Sequence, residues 1–331
     1  MPQSVSIVGA GVIGLSCAYR LAKSGYKVRV YHHAPVGTGA SGQAAGALKP
    51  FDALQTGWKQ KLQQQSLWKY LKFLSEVESE SGICVDFQRC GRVAVYDNPS
   101  SLEKAKKAAE KANQDWPFSP AQTILTRQDL LTYAPDVEPD ACGGVFCHAT
   151  GVLNPQKLLL ALEACCINLG VEFLLKSLGA LPQERPLLVS AGAFTQKLLP
   201  TMPIKPIKRQ AILLKWPYRQ PLEHITENGQ VYLVPKLGGQ QVYVGSTFEP
   251  EAGFDNTPTP QAEHDLRKLA SRLFPALQTA TLLERFSGLQ SRGYGEGSTL
   301  KLGRVAQIPG VYVAAGHGGV GYCMAPATAQ E

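Results

Sequence analysis

The chain has 331 residues, 44% hydrophobic and 18% charged, with a formal net charge of +7. That composition excludes an intrinsically disordered chain, and no run approaches the ~18 consecutive apolar residues of a membrane span. The mild positive charge suits an anionic ligand and permits contact with nucleic acid without demanding it.

Met1-Pro2-Gln3 enters an apolar run by Val5, which leaves no room for the charged and apolar regions of a signal peptide; a cytoplasmic protein is expected. The first unit, Ser4 to Tyr31, reads strand, glycine turn, helix, strand, with Ile13–Ala22 helical and Gly25 stopping the helix. A loop of small residues follows from Val36 to Ala47. Trp58, Leu62, Trp68, Leu71, Leu74 and Val77 then recur at helical spacing and predict a long amphipathic helix that Gly82 ends. Val93–Tyr96 reads as a strand, and Leu102–Asn113 as a lysine-rich helix broken at Trp116–Pro120. Gly143–His148 is a short strand, and Asn154-Pro155 starts a helix running to about Asn168.

Strands are expected at Val171–Leu175 and Leu187–Ser190, the second leading into Gly192. From Arg209 to Thr247 the pattern turns to strands (Ala211–Trp216, Val231–Val234, Gln241–Val244), which suggests an antiparallel sheet. A helix covers Pro260–Phe274, and the chain ends with strand Val311–Ala315 and a helix beginning near Gly319. The eight cysteines form no C-x-x-C pair, so neither a metal site nor a redox dithiol is expected. Cys165-Cys166 reads as core thiols. The predicted class is α/β, with a Rossmann-like dinucleotide-binding domain (1–80, 150–200 and 296–331) interleaved with an α+β domain on a mainly antiparallel sheet (81–149 and 201–295).

Gly9-Ala10-Gly11-Val12-Ile13-Gly14 follows a strand and opens a helix, the context a dinucleotide fingerprint requires. Gly9 permits the tight turn, Gly11 the approach of backbone to pyrophosphate, and Gly14 the packing of helix on strand. The helix start offers free N–H groups to the anion. The motif alone does not choose between FAD and NAD(P). An acid about 20 residues on normally holds the ribose hydroxyls. Here that strand ends Tyr31-His32-His33: His32 or a backbone group takes over, or ribose is held less tightly.

Further segments carry a resemblance. Gly39-Ala40-Ser41-Gly42-Gln43-Ala44-Ala45-Gly46-Ala47-Leu48 resembles the flavin loop of the D-amino-acid oxidase superfamily. Leu188–Ala193, with Ala191-Gly192, and the terminal Val311–Gly321, with Gly316-His317-Gly318-Gly319-Val320-Gly321, match the same superfamily in the same order. Tyr232–Lys236 and Val244–Thr247 resemble its substrate-domain strands. The resemblance spans the whole chain and implies FAD as cofactor, with hydride transfer from the carbon beside an amine to flavin N5, hydrolysis of the imine, and reoxidation by oxygen to hydrogen peroxide. Small-residue loops give that chemistry a physical basis, because free backbone amides cradle phosphate and let a flat ring lie on main chain. A helix start beside Gly316–Gly321 would face the charge that develops on reduction.

Superfamily members that oxidise amino acids commonly hold the carboxylate with an arginine of a G-x-R strand. Gly288-Leu289-Gln290 places Gln290 at that position, and Arg292, two residues on, is the candidate arginine; the alternative is an ordinary surface arginine. Gly318-Gly319 stands where glycine oxidases tend to carry another arginine, which puts glycine itself in doubt as substrate. Tyr232 is a candidate to line the pocket, and Lys49 a candidate to activate oxygen electrostatically. Arg209-Gln210 is assigned no chemistry. A covalent flavin link at Cys323 is not favoured. A small amine or amino acid and oxygen are the expected partners. The alternatives are an oxidase acting on a carboxymethyl-type modified tRNA base, an NAD(P)-dependent dehydrogenase, and a flavin-binding protein without turnover.

Overall fold

In the computed structural model the described residues are 3–50, 58–115, 121–294 and 300–331. Their strands form two large sheets and a two-stranded ribbon.

The first sheet runs β15 (Lys301–Arg304), β16 (Val311–Ala315), β9 (Leu187–Val189), β1 (Ser4–Val8), β2 (Lys27–His32) and β8 (Glu172–Leu175). Its strands pair in parallel except for edge strand β15. Val5, Ile7, Val28 and Val30 face a core shared with four helices: α1 (Val12–Lys23), α2 (Trp58–Ser81), α5 (Pro155–Asn168) and α8 (Gly321–Thr328). Val8, Val189, Val313 and Ala315 face a second, smaller core near the short α6 (Thr195–Leu198). Strands buried on both faces require near-continuous apolar sequence, which β16 carries; β1 is apolar at Val5, Ile7 and Val8 and buries the small Ser6 between them.

The second sheet runs β14 (Leu282–Gly293), β10 (Ile204–Lys215), β13 (Gln241–Gly245), β12 (Tyr232–Lys236), β11 (Ile225–Glu227), β4 (Arg92–Tyr96), β6 (Gly143–Cys147) and β5 (Gln122–Leu125). All pairs are antiparallel but β11–β4. One face buries Val93, Ile212, Leu214, Leu233 and Val244 against α4 (Arg127–Tyr133) and α7 (Pro260–Ala270). Helix α3 (Pro99–Asp115) lays Ala105 and Ala109 on Val145. The other face points at the loop of small residues, as Ala45, Ala211, Val234 and Tyr243 share one core. That loop ends in β3 (Ala47–Leu48), paired with β7 (Gly151–Val152).

Several elements differ from the sequence expectation. In α2, Trp68 and Leu71 are half exposed, while Gln63, Ser66, Tyr70 and Phe73 turn inward beside Leu62, Leu74 and Val77. The cause is α8, a wholly buried neighbour with backbone groups to satisfy. Tyr70 donates to the Tyr322 carbonyl at 2.8 Å, and Ser66 accepts from the Ala327 amide at 3.2 Å. Helix α7 stops at Ala270 rather than Phe274, because the last turn tightens: the amides of Arg272 and Leu273 bond to the carbonyls three residues back, Leu269 and Ala270. The Trp58 side chain and the break at Trp116–Pro120 lie outside the described residues. Helix α5 begins where expected, with Asn154 accepting from the Lys157 amide at 3.2 Å ahead of Pro155. Asn154→Ala should therefore cost about 1 kcal/mol, read as a lowered thermal midpoint; an unchanged midpoint would show that the cap adds nothing.

Candidate active site

The glycine turn is held by neighbouring backbone. Gly9 has φ +112°, and a Cβ there would stand 2.4 Å from the Ser190 carbonyl oxygen; one on Gly14 would stand 1.9 Å from the Gly9 oxygen. Gly11 caps α1 with extended backbone, and the first turn of that helix holds no acidic residue to compete with an anion. The Val12 amide donates to Ser41 Oγ at 3.1 Å, which ties the small-residue loop to the helix start beside Ile13. Tyr322 of α8 donates to the Ser41 carbonyl at 2.8 Å, and Gly321 lies beside Val12. Residues 9–14, 39–48, 190–193 and 316–321 thus converge on the start of α1. Gly192 (φ +57°) and Gly318 (φ +60°) both border open space.

The sheet face opposite is bound to this loop. A Cβ on Gly288 would lie 3.2 Å from the Ala40 Cα. Tyr243 donates to the Gln43 carbonyl at 2.9 Å and Lys236 to the Ala45 carbonyl at 2.5 Å. Burial pushes the Lys236 ammonium down to about 8. Gly46 (φ +74°) accepts from the Leu153 amide at 3.0 Å, which leads into the Ala47–Leu48 strand. Gly316 donates to Ser291 Oγ at 2.9 Å, and His317 bridges to Arg292. The His317 ring is buried 3.0 Å from the Thr328 hydroxyl, so this turn offers backbone rather than imidazole to a ligand. Gly319 faces Gln290, and Val320 leads into α8, two residues later than expected because Gly318–Val320 is 3-10 helix.

The sheet corrects the assignment of Arg209. Its half-buried guanidinium donates to Gln290 Oε1 at 3.2 Å and to the Thr247 carbonyl at 2.7 Å. Burial lowers its pKa; nearby Tyr232 opposes the shift and Arg292 adds to it. Arg209, Tyr232, Gln290 and Arg292 therefore form one cluster. Arg292 is exposed at the strand end. Among the described residues no carboxylate forms an ion pair with Arg209 or Arg292. No local sequence signal marks Arg209: the expected strand began at Ala211, whereas β10 starts at Ile204, and Gln290 and Thr247 reach the side chain only in the folded sheet.

Lys49 is not a solvated lysine. It pairs with Glu227, which also accepts from Arg92 Nη1 at 2.6 Å, and its ammonium lies 5.2 Å from the Tyr232 ring centre. Although burial alone would raise the Glu227 pKa, Arg92 and Lys49 hold it down at about 2. Cys323 is buried, its thiol pushed up to about 11, and it contacts the Ala47 carbonyl at 3.5 Å and the Lys49 amide at 3.2 Å. Its neutral thiol is a poor nucleophile. His32 sets Nδ1 2.9 Å from the Ala34 carbonyl and its ring edge against Phe173. The carboxylate missing from β2 has a neighbour on α5: Glu163, whose pKa burial raises and His32 lowers. Cys165 and Cys166 are buried free thiols, as expected.

A βαβ unit with a glycine turn, roofed by an antiparallel sheet that carries an arginine cluster with no carboxylate partner among the described residues, defines a dinucleotide-dependent oxidoreductase. The chain belongs to the DAO family of FAD-dependent oxidoreductases, whose model matches residues 4–331, and FAD is its cofactor. It is 28% identical over 351 residues to the bifunctional protein ThiO/ThiG of Trichormus variabilis, covering 99% of this chain and 52% of that one. The chain thus spans about half the length of these bifunctional relatives. It is 28% identical over 357 residues to glycine oxidase of Pseudomonas putida, covering 100% of this chain and 93% of that one. The solved glycine oxidase of Geobacillus kaustophilus superposes with a TM-score of 0.90 at 21% identity, over 99% of this chain and 93% of that one. Among the described residues no helix is long and apolar enough to cross a membrane.

Proposed function

We propose that this FAD-dependent oxidoreductase oxidises the carbon–nitrogen bond of a small amino acid, with oxygen as electron acceptor. The reading rests above all on the Arg209 guanidinium, held by Gln290 and Thr247 on the sheet face above the Gly316–Gly321 turn. Two N–H groups are committed to the protein and three of five remain for a carboxylate, enough for a two-point grip. Gripping it there fixes the amine-bearing carbon relative to the turn, and orientation is the main service the protein supplies in such a reaction. Tyr232 lines the pocket beside Lys49. The Gly9–Gly14 turn takes the pyrophosphate, His32 with Glu163 the ribose end, and Gly39–Leu48, Ala191-Gly192 and Gly316–Gly321 the remaining surface of the cofactor. When bound, the isoalloxazine supplies the two-electron acceptor for the hydride that leaves the substrate carbon. Similarity to glycine oxidases at 23–28% identity supports the same reaction class.

Anaerobic titration with glycine, sarcosine, proline and D-amino acids tests this. Bleaching of the visible flavin band by one of them is expected. A yellow protein that none bleaches would move the reading to a larger substrate, with modified tRNA first. Arg209→Met should raise the apparent KM for the active compound about 10- to 100-fold with FAD content unchanged, the loss of a charge-assisted hydrogen-bonded pair. Unchanged kinetics would remove Arg209 from the site.

A further inference from the structure

Two guanidinium groups reach the same aromatic ring at the open end of this site. The Arg209 guanidinium carbon lies 4.7 Å from the centre of the Phe248 ring and that of Arg292 lies 5.5 Å from it. The sum of those lengths bounds the separation of the two charges. They come from neighbouring strands, Arg209 opposite Gly288 and Arg292 opposite Lys205. Side chains alternate along a strand, so Gly288, Gln290 and Arg292 share one face with Arg209. Gly288 faces Ala40 and Gln290 faces Gly319, so that face is the one turned to the cofactor loop and the glycine turn.

Elsewhere the same sheet matches its inward cations to carboxylates. Arg92 pairs with Glu227 at 2.6 Å, and Lys208 pairs with Asp255 at 2.7 Å and Glu249 at 3.9 Å. At Arg209 and Arg292 the described residues supply no such partner. Instead Lys205, opposite Arg292 and 4.8 Å from the Tyr294 ring centre, adds a third positive charge. Like charges this close repel, more so where one is half-buried. Phe248, half exposed, keeps the two guanidinium groups on one ring. Among the described residues, one carboxylate on Arg209 would leave Arg292 without a counter-charge; two anionic groups on one ligand would neutralise both.

We infer that the substrate is a small amine bearing two carboxylates, one gripped by Arg209 with Gln290 and the other by Arg292. This rests on the amine-oxidation reading and specifies its substrate class.

Glutarate and butyrate carry two carboxylates and one, with no amine to oxidise, and they separate the two ideas. Their affinities for the holoenzyme are measured by calorimetry and by perturbation of the flavin band, for the wild type, Arg209→Met and Arg292→Met. Glutarate is expected to bind at least about tenfold more tightly than butyrate, one charge-assisted contact's worth. Arg292→Met should bring glutarate down to the affinity of butyrate, and Arg209→Met should weaken both. Retained flavin and an unchanged thermal midpoint show that each variant is folded; Arg292, being exposed, is the safer of the two. Equal affinities in the wild type, no measurable binding of either acid, or a glutarate preference that survives Arg292→Met would each overturn the two-anion site. In parallel, anaerobic titration compares glycine with iminodiacetate and with D- and L-aspartate. Bleaching at lower concentration by one of the dicarboxylates is expected. Bleaching by glycine without a glutarate preference removes the two-anion site alone, whereas a glutarate preference with no amine bleaching the flavin removes the amine-oxidation reading alone.

Discussion

Replacing Gly9 by alanine is expected to give a protein that purifies colourless. Two costs fall on that one methyl group. The backbone there has φ +112°, a conformation L side chains rarely adopt, and the added Cβ would stand 2.4 Å from the Ser190 carbonyl oxygen. That oxygen cannot withdraw easily. The Ser190 amide donates to the Val8 carbonyl at 2.9 Å, and the Gly9 amide to the Tyr31 carbonyl at 2.8 Å. The turn thus joins the ends of β1, β2 and β9. Strain of about 1–3 kcal/mol and overpacking of similar size would be relieved only by parting those strand ends. The cofactor's phosphates lie at such a turn in dinucleotide folds. The ratio of visible to ultraviolet absorbance reads the outcome directly. Gly25→Ala is the control: φ is +85° but nothing lies within 4 Å of the new methyl. It should cost about 1 kcal/mol and leave the protein yellow. Stoichiometric flavin in Gly9→Ala would show that this turn does not set the cofactor site.

What could be read in advance follows from the range of the interactions. Strand Val311–Ala315 and helix Pro155–Asn168 were legible to the residue, because an apolar run between turns and an Asn-Pro start are local signals. The face of α2 was not. Helical spacing offered both the Trp68–Leu71 side and the Tyr70–Phe73 side, and the choice was made by α8, more than 250 residues away, through Tyr70 and Tyr322. The cofactor loops were visible as small-residue runs; what brings them together, such as Ser41 on Val12, is tertiary. The arginine cluster was half legible. Gln290 and Arg292 stood out on one strand, but Arg209 acquires a role only once β10 pairs with β14 and its side chain meets a glutamine 81 positions on. The departure at His32 was visible, and the carboxylate beside it was not, since Glu163 arrives on a helix.

Glu227→Ala should destabilise the protein by about 3–5 kcal/mol, the scale seen when one member of a buried ion pair is removed. The partners are Arg92, 8% exposed at its side chain, and Lys49, 24% exposed; the carboxylate between them is 17% exposed. With Glu227 present the three groups carry a net single positive charge; without it, two cations face each other beneath the cofactor loop. The thermal midpoint should fall by roughly 5–10 °C. Acid should act in the same direction. The Glu227 carboxyl sits at about 2 in the fold against an ordinary value of 4.5. A folded value below the unfolded one means that the stabilisation is complete above about pH 4.5 and is lost as pH falls through the folded value. The midpoint of the variant should accordingly be less steep than that of the wild type between pH 4.5 and 2. Lys49→Met sets the scale: it leaves Glu227 paired with Arg92 and should cost less than Glu227→Ala. The double variant should recover part of the loss, because one of the two like charges has gone. A Glu227→Ala protein as stable as the wild type, with the same acid profile, would mean that the two cations reach water when the carboxylate is removed.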